Sequence, residues 1–280
     1  MKKIICVLLL LPALLCACSE TKPMENERYS VAVNTAKFAA RNELEAQPIV
    51  LPQGTRAVIV PHGGEAIHMA AEVIAGLAAF APKTVIFIAP NHRVLGPKIA
   101  CTYAAFENYD GMVLPREDVI RALEGVDVGI DDTLFEDEHS VGILMPLLAR
   151  YLPGAKAVPL IFQKGAPFNA AKRVLDKALA LAGPDTVVVA SIDFSHGLSA
   201  REERPRREAI LESIRMLDSV GVLHLDGTFV DAPVVLAALL QRMKENGCAP
   251  EFIAQANSSE LLGRDVPAAT GYLTIAFHGG

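Results

Sequence analysis

The sequence has few cysteines, and most of them lie near its beginning. Three of the five fall within the first eighteen residues, and only Cys101 and Cys248 follow. Two cysteines are too few for the disulfide framework that holds together a small secreted protein. The folded part must therefore depend on a hydrophobic core, and a region of about 240 residues is ample to build one.

The chain also lacks a basic tract and the sequence motifs of several common enzyme classes. Its formal net charge is -6 at pH 7, and the arginine-rich stretch REERPRRE is mixed in sign. This balance argues against a nucleic-acid partner. The sequence contains no GxSxG elbow, Walker loop, CxxC pair or CxxxCxxC cluster motif, and no GxGxxG follows the first predicted strand. These absences exclude the chemistries that depend on those motifs.

The N-terminus resembles a bacterial export signal. Two lysines precede an apolar run of about a dozen residues and then small residues around a cysteine, which is typical of a secretory signal peptide. The segment Leu15-Cys16-Ala17-Cys18 resembles a lipobox, which implies cleavage before Cys18 and lipidation of its thiol. An ordinary signal-peptidase site at Ala17 is the alternative. We expect a signal peptide over 1–17, a lipidated cysteine and polar tether over 18–48, and a folded domain over 49–280.

Apolar runs alternate with helical patterns over the rest of the chain. Runs such as RAVIV and TVIFIA are apolar throughout, which is typical of strands covered by helices on both faces. The order predicts one α/β domain with a mostly parallel sheet flanked by helices on both faces. The predicted strands are 56–60, 84–89, 98–103, 156–162, 185–191 and 268–277. The predicted helices are 65–80, 116–123, 140–152, 168–182, 202–220 and 229–245.

Three of the predicted strands end just before a histidine. His62, His92 and His196 occupy these positions, and open α/β sheets bind ligands at the carboxyl ends of their strands. Asp193 precedes His196 closely, and His139 lies in the acidic turn FEDEHS. One such histidine alone is usually a satisfied polar residue, but four together predict a metal or acid/base site. The remaining histidines are interpreted as structural or surface residues: His68, His224 and His278.

The acidic residues beside His139 have two interpretations. The carboxylates of EDEH can orient a ligand imidazole by hydrogen bonding to its second ring nitrogen. They also suit the first turn of a helix, where acidic side chains are favoured in any case.

Five short motifs resemble the Memo family in their order: VPHGG, IFIAPNH, DEHS, VPLIF and VVVASIDFSH. Bacterial members are called AmmeMemoRadiSam system protein B, and the resemblance covers roughly residues 50–275. It implies a fold similar to class III extradiol dioxygenases, a group of non-haem iron enzymes. It further implies that His62 and His92 are metal ligands and that His196 is the acid/base, with Asp193 and His139 completing the catalytic set.

The chain departs from the family pattern at several positions. Glu65 stands where an aromatic residue usually follows PHxG, and Gly142 stands where a glutamate commonly follows EHS. Memo proteins can supply a cysteine ligand before the last strand, and here the matching stretch, ANSSELLGRD, offers Ser258 or Ser259. A hydroxyl is a poor ligand for a soft divalent metal, so we expect Glu260 to complete a two-histidine, one-carboxylate set. A surface carboxylate is the alternative for Glu260.

Three functions stay open at this stage. The first is a dioxygenase-like redox enzyme that holds one divalent transition metal, iron or copper with zinc also fitting, and acts on a small molecule. The second is a binding or accessory protein that keeps the pocket without a metal, which the altered third ligand favours. The third is metal-dependent hydrolysis. The expected partners are a small molecule, the membrane through a lipid at Cys18, and AMMECR-type and radical SAM proteins of the same system.

The lipobox generates the first testable prediction. Labelled fatty acid should enter the wild-type chain, and Cys18→Ala should abolish this incorporation, because cleavage before Cys18 leaves its thiol as the lipid acceptor. Metabolic labelling followed by isolation of the protein measures it. An unlabelled wild-type chain released as a soluble exported protein would contradict the lipoprotein assignment.

Overall fold

The computed structural model describes residues 32–38 and 45–279. The predicted signal peptide and Cys18 lie outside these ranges, as does part of the predicted tether. Within the described ranges, every helix is too short or too polar to cross a membrane.

The secondary structure of the described residues alternates between strands and helices. The strands are β1 Ala32–Asn34, β2 Thr55–Val60, β3 Thr84–Pro90, β4 Ile99–Cys101, β5 Ala105–Asn108, β6 Gly111–Val113, β7 Gly129–Ile130, β8 Lys156–Phe162, β9 Thr186–Ser191, β10 Phe194–Leu198, β11 Ala249–Asn257 and β12 Ala269–His278. The helices are α1 Ile67–Leu77, α2 Glu117–Leu123, α3 His139–Gly142, α4 Met145–Tyr151, α5 Phe168–Ala182, α6 Ala200–Arg215, α7 Ser219–Val222, α8 Pro233–Glu245 and α9 Ser258–Leu262.

A nine-stranded sheet forms the centre of the domain. Its middle strands follow the order β2, β9, β3 and β8, and all three pairings between them are parallel. The strands RAVIV, TVIFIA and TVVVAS, which the sequence analysis predicted, are therefore parallel neighbours in one sheet. Their carboxyl ends meet at one edge, which brings the residues after each strand together.

Antiparallel strands extend the sheet on both sides of this parallel centre. On one side β12 pairs with β2, and β10 and β11 pair with β12; on the other side β4 pairs with β8. The sheet is thus mixed, and the prediction of a mostly parallel sheet holds for its central strands. The sequence pattern did not reveal β10 and β11, because neither strand contains a long continuous run of apolar residues.

The two faces of the sheet bury separate hydrophobic cores. Successive side chains of a strand point to opposite faces, so Ile86 and Ile88 of β3 join one core while Val85 and Phe87 join the other. Helices α2, α5, α6 and α8 cover the first face, and α1 and α4 cover the second. The predicted single α/β domain with helices on both faces is therefore confirmed.

Two of the predicted helices are broken in the structure. The pattern over 140–152 yields α3 and α4, because Pro146 has no N–H to donate to the carbonyl of Gly142. The pattern over 202–220 yields α6 and α7, which are separated where Leu217 takes a left-handed conformation with φ of 48°. Helical periodicity continues across both breaks, so the sequence pattern predicted one helix where the structure has two.

A short N-terminal segment from the predicted tether packs on the domain. Strand β1 pairs in parallel with β5 in a small three-stranded sheet, and Val33 is buried in the core beside it. Further along, the ring of Phe38 lies so close to Gly142 that a Cβ at that position would overlap it. The family's usual glutamate at position 142 would occupy the space that Phe38 fills.

This contact makes Gly142 sensitive to any added side chain. Gly142→Ala should lower the free energy of unfolding by about 1 kcal/mol, because the new methyl group displaces the Phe38 ring. Urea unfolding of the purified chain measures the change. In a Phe38→Ala background the same substitution should cost nothing, and Gly125→Ala, where a Cβ meets no atom within 4 Å, is the matched control. Equal costs in both backgrounds would contradict the contact.

Candidate metal centre

Three histidines converge at the carboxyl edge of the central strands. His62 follows β2, His92 follows β3, and His139 begins α3. The ring centroid of His62 lies 5.1 Å from that of His92 and 5.3 Å from that of His139. The ring centroids of His92 and His139 are 4.3 Å apart. One ring nitrogen of each lies within 4.8 Å of the other two. Such nitrogens can hold one metal ion.

The hydrogen bonds of His62 determine which of its nitrogens can face an ion. Its Nδ1 lies 3.0 Å from the hydroxyl oxygen of Ser191, and that hydroxyl donates its own proton to the carbonyl of Ser140 at 2.6 Å. Nδ1 must therefore be the donor toward Ser191, so the neutral ring carries its proton there. The lone pair of that neutral ring is then on Nε2, which lies inside the cluster.

His62 is buried among carboxylates. Its Nε2 lies 3.1 Å from Asp231 and 3.7 Å from Asp193. Burial disfavours the imidazolium, but Asp193, Asp231 and Glu138 more than offset it and raise the pKa of His62 to about 9. In the absence of a metal His62 is thus a cation at neutral pH, and a metal at Nε2 would take the place of that proton.

Glu138 holds His92 in position. Its Oε1 accepts from Nδ1 of His92 at 2.8 Å, and its Oε2 accepts from the His92 backbone N–H at 2.9 Å. Glu138 is also the N-cap of α3 and accepts from the N–H and hydroxyl of Ser140. Burial opposes ionisation of Glu138, yet the bonds from His92 lower its pKa to about 2. The interpretation that a carboxylate of EDEH orients an imidazole therefore holds for Glu138.

His139 contributes the third nitrogen, although the sequence analysis assigned it a catalytic role. Its side chain is half-exposed, whereas that of His62 is buried. Partial burial and the nearby charges of His92 and His62 lower the pKa of His139 to about 4. The ring is therefore neutral at pH 7, and a neutral imidazole is the form that binds metals.

Asp231 is a residue of the site that the sequence analysis missed. Its Oδ2 lies 3.1 Å from Nε2 of His62 and 3.9 Å from Nε2 of His92. Its Oδ1 is buried and has no hydrogen-bond partner among the described residues. The predicted helix 229–245 contained Asp231, but α8 begins at Pro233 and leaves the aspartate in the loop before it. The sequence did contain a signal for this position, because Asp231 lies just before Pro233, and proline often occupies the first position of a helix.

Asp193 shapes the loop that carries His62. Its Oδ1 accepts from the backbone N–H groups of His62 at 2.9 Å and Gly63 at 3.3 Å, and its own N–H donates to Oδ2 of Asp231 at 3.3 Å. Burial raises the pKa of Asp193, while the charge of His62 opposes that shift. This predicted catalytic residue therefore borders the histidines and ties the loop after β2 to the loop before α8.

The remaining predicted residues take different places. His196 lies on β10, near enough for its charge to lower the pKa of Asp193, and its buried Nδ1 has no hydrogen-bond partner among the described residues. It is not one of the three clustered nitrogens. Glu260 belongs to a capping box with Asn257 at the start of α9, and its Oε2 lies 3.4 Å from Arg207. The structure thus engages this carboxylate elsewhere, and Asp231 is the carboxylate that meets the histidines.

The residues present fit a divalent transition metal. Both His62 and His92 have Nδ1 occupied by a neighbouring oxygen, which leaves Nε2 of each on the side of Asp231. Imidazole nitrogens with one carboxylate oxygen suit iron, copper and zinc. The unpartnered Oδ1 of Asp231 is a further oxygen that needs a partner.

Known proteins are similar to this chain over a range that includes all residues of the site. The family model described as Memo-like protein matches residues 36–276. The chain belongs to the Memo family. A MEMO1 family protein of Caldivirga maquilingensis is 24% identical over 263 residues, which cover 88% of this chain and 93% of that protein. A MEMO1 family protein of Pyrobaculum arsenaticum is 26% identical over 274 residues, covering 91% and 95%.

A solved structure supports the fold of this Memo protein. The crystal structure of an uncharacterized protein from Escherichia coli K12 is similar to it, with a TM-score of 0.52 and 13% sequence identity. The match covers 79% of this chain and 99% of that one. At this identity the likeness concerns the fold alone. The family resemblance read from the five motifs is confirmed, and each of the three clustered histidines lies within the matched region.

The contact between Glu138 and His92 generates a prediction about metal affinity. Glu138→Gln removes the charge that fixes the Nδ1 proton of His92, so the affinity for zinc should fall about 10- to 100-fold. Competition with a chromophoric chelator measures it. Asp137→Asn is the matched control, because Asp137 is adjacent but exposed and pairs with Lys37 and Arg93. Equal loss in both variants, or none in Glu138→Gln, would contradict the positioning role.

Proposed function

We propose that this Memo protein is a metal-dependent redox enzyme that acts on a small molecule. One divalent metal would be held by His62, His92 and His139, with Asp231 as the carboxylate. The observation that carries the proposal is the convergence of three imidazole nitrogens within 4.8 Å, beside a buried carboxylate with an unpartnered oxygen. Imidazole and carboxylate ligands with open positions are the pattern of non-haem iron oxygenases.

A bound metal would supply Lewis acidity and, as iron or copper, redox chemistry. The protein's own groups would arrange the substrate around it. His92 and His139 are the partly exposed members, with side-chain exposures of 33% and 48%, whereas His62 is closed off. The substrate would therefore approach from the side of His92 and His139, because the side chains of His62, Asp193 and Asp231 on the other side are 2%, 6% and 9% exposed.

His196 is the residue best placed to move a proton. Its Nδ1 is buried without a partner among the described residues, and it lies close enough to Asp193 to affect that residue's pKa. An imidazole nitrogen without a hydrogen-bond partner can accept a proton from a substrate. Asp193 would stabilise the resulting imidazolium, since it is the carboxylate on which the charge of His196 acts.

One observation favours a second function, a binding or accessory protein that works without metal. His62 and Asp231 form a buried ion pair of 3.1 Å, so the site can neutralise its charges by itself. On this reading the pocket would bind a small molecule and present it to AMMECR-type or radical SAM proteins of the same system. The chain would act at a membrane surface, held there by the lipid at Cys18.

Metal analysis of anaerobically purified protein separates the two functions. The wild type should carry about one iron, copper or zinc ion per chain, and His62→Ala, His92→Ala and Asp231→Ala should each lose most of it, since each removes an atom facing the shared position. His196→Ala should keep the metal and lose turnover, because it acts as a base. His278→Ala is the matched control, since this histidine lies at the far end of β12 near Glu251. A folded wild type that binds none of these metals would contradict the metal-dependent enzyme and support the accessory function.

A further inference from the structure

A cavity outside the histidine cluster lies between the first turn of α6 and the α9 segment with the loop that follows it. Its volume is about 670 Å³, a size typical of small-molecule sites. Arg201, Arg204 and Arg264 line it, with Ser259 and Asp265. The sequence analysis assigned none of the three arginines to a site, and it considered Ser259 only as a counterpart of the family's cysteine ligand.

The three arginines of this cavity have no carboxylate within ion-pair distance among the described residues. The nearby acidic groups are otherwise engaged. Glu260 accepts from the backbone N–H of Asn257 at 2.9 Å and lies 3.4 Å from Arg207. Glu203 is fully buried and lies 3.3 Å from the same Arg207.

The charge of the lining is therefore positive. The lining holds three guanidinium groups against the two carboxyl groups of Glu260 and Asp265, and Arg207 lies beside both Glu260 and the buried Glu203. One positive charge of the lining is therefore uncompensated, and it suits an anionic ligand.

One neutral donor complements the arginines. The hydroxyl oxygen of Ser259 accepts from the N–H of Val266 at 3.0 Å, and its own proton has no acceptor among the described residues. That proton is free to bond to an oxygen of a ligand. Guanidinium groups bind phosphate oxygens in pairs, and a hydroxyl adds a further bond to the same group.

We propose that this cavity binds the phosphate group of a small phosphate monoester through Arg201, Arg204 and Arg264, with Ser259 as an added donor. The cavity shares no lining residue with the metal centre, which consists of His62, His92, His139 and Asp231. The inference therefore holds whether or not the histidines carry a metal.

Calorimetric titration of the purified full chain with glycerol 3-phosphate at low ionic strength tests the proposal. The wild type should show saturable binding of one molecule per chain. Arg201→Gln and Arg264→Gln should each weaken it about tenfold, since each removes a charge-assisted hydrogen bond. Arg215→Gln is the matched control on the same helix, because Arg215 pairs with Glu212 at its far end. No saturable binding by the wild type, or an equal loss in the control, would overturn the proposal.

Two further arms separate the source of the phosphate and the two sites. Soluble glycerol 3-phosphate should compete with any binding to phosphatidic acid vesicles, because the phosphate groups of both ligands would occupy the same cavity. Binding to the vesicles without binding of the soluble ester would overturn the small-molecule site. His62→Ala should leave the affinity for glycerol 3-phosphate unchanged, and its loss in a folded His62→Ala chain would contradict the separation of the two sites.

Discussion

The burial of His62 is the constraint on which the site depends. A buried imidazole needs a partner for each nitrogen, and here those partners come from two segments of the chain, the end of β9 with the loop after it and the loop before α8. Ser191 at the end of β9 binds Nδ1, while Asp231 before α8 and Asp193 after β9 face Nε2. Because the Ser191 hydroxyl also donates to the carbonyl of Ser140, the same contact ties the start of α3 to the sheet. Satisfying the His62 ring therefore also fixes the segment that carries His139.

The parallel centre of the sheet makes this arrangement available. Strands β2, β9 and β3 end at one edge, so that His62, Ser191 and His92 follow from neighbouring strands. The acidic turn before α3 then adds Glu138, which caps the helix and orients His92 with the same carboxylate. The hydrogen bonds of Glu138 thus both stabilise the start of α3 and position His92, so a substitution of Glu138 would affect both.

The sequence predicted the parts of this account that depend on local pattern. Continuous apolar runs located the central strands, and their shared direction placed His62 and His92 together. The pattern did not place Asp231, because a helical periodicity that continues past the true start of α8 concealed a loop residue. It assigned Glu260 from its position in the chain, whereas the structure engages that side chain in capping α9. The positions of carboxylates depend on where helices begin, and periodicity locates those ends poorly.

The most direct test of the central claim is X-ray absorption at the iron edge of the chain loaded anaerobically with one equivalent of Fe(II). The account predicts a first coordination sphere of nitrogen and oxygen with the outer-shell scattering of three imidazole rings, reduced by one ring in His139→Ala. Iron surrounded by oxygen alone, with no imidazole scattering in the wild type, would contradict the three-histidine centre.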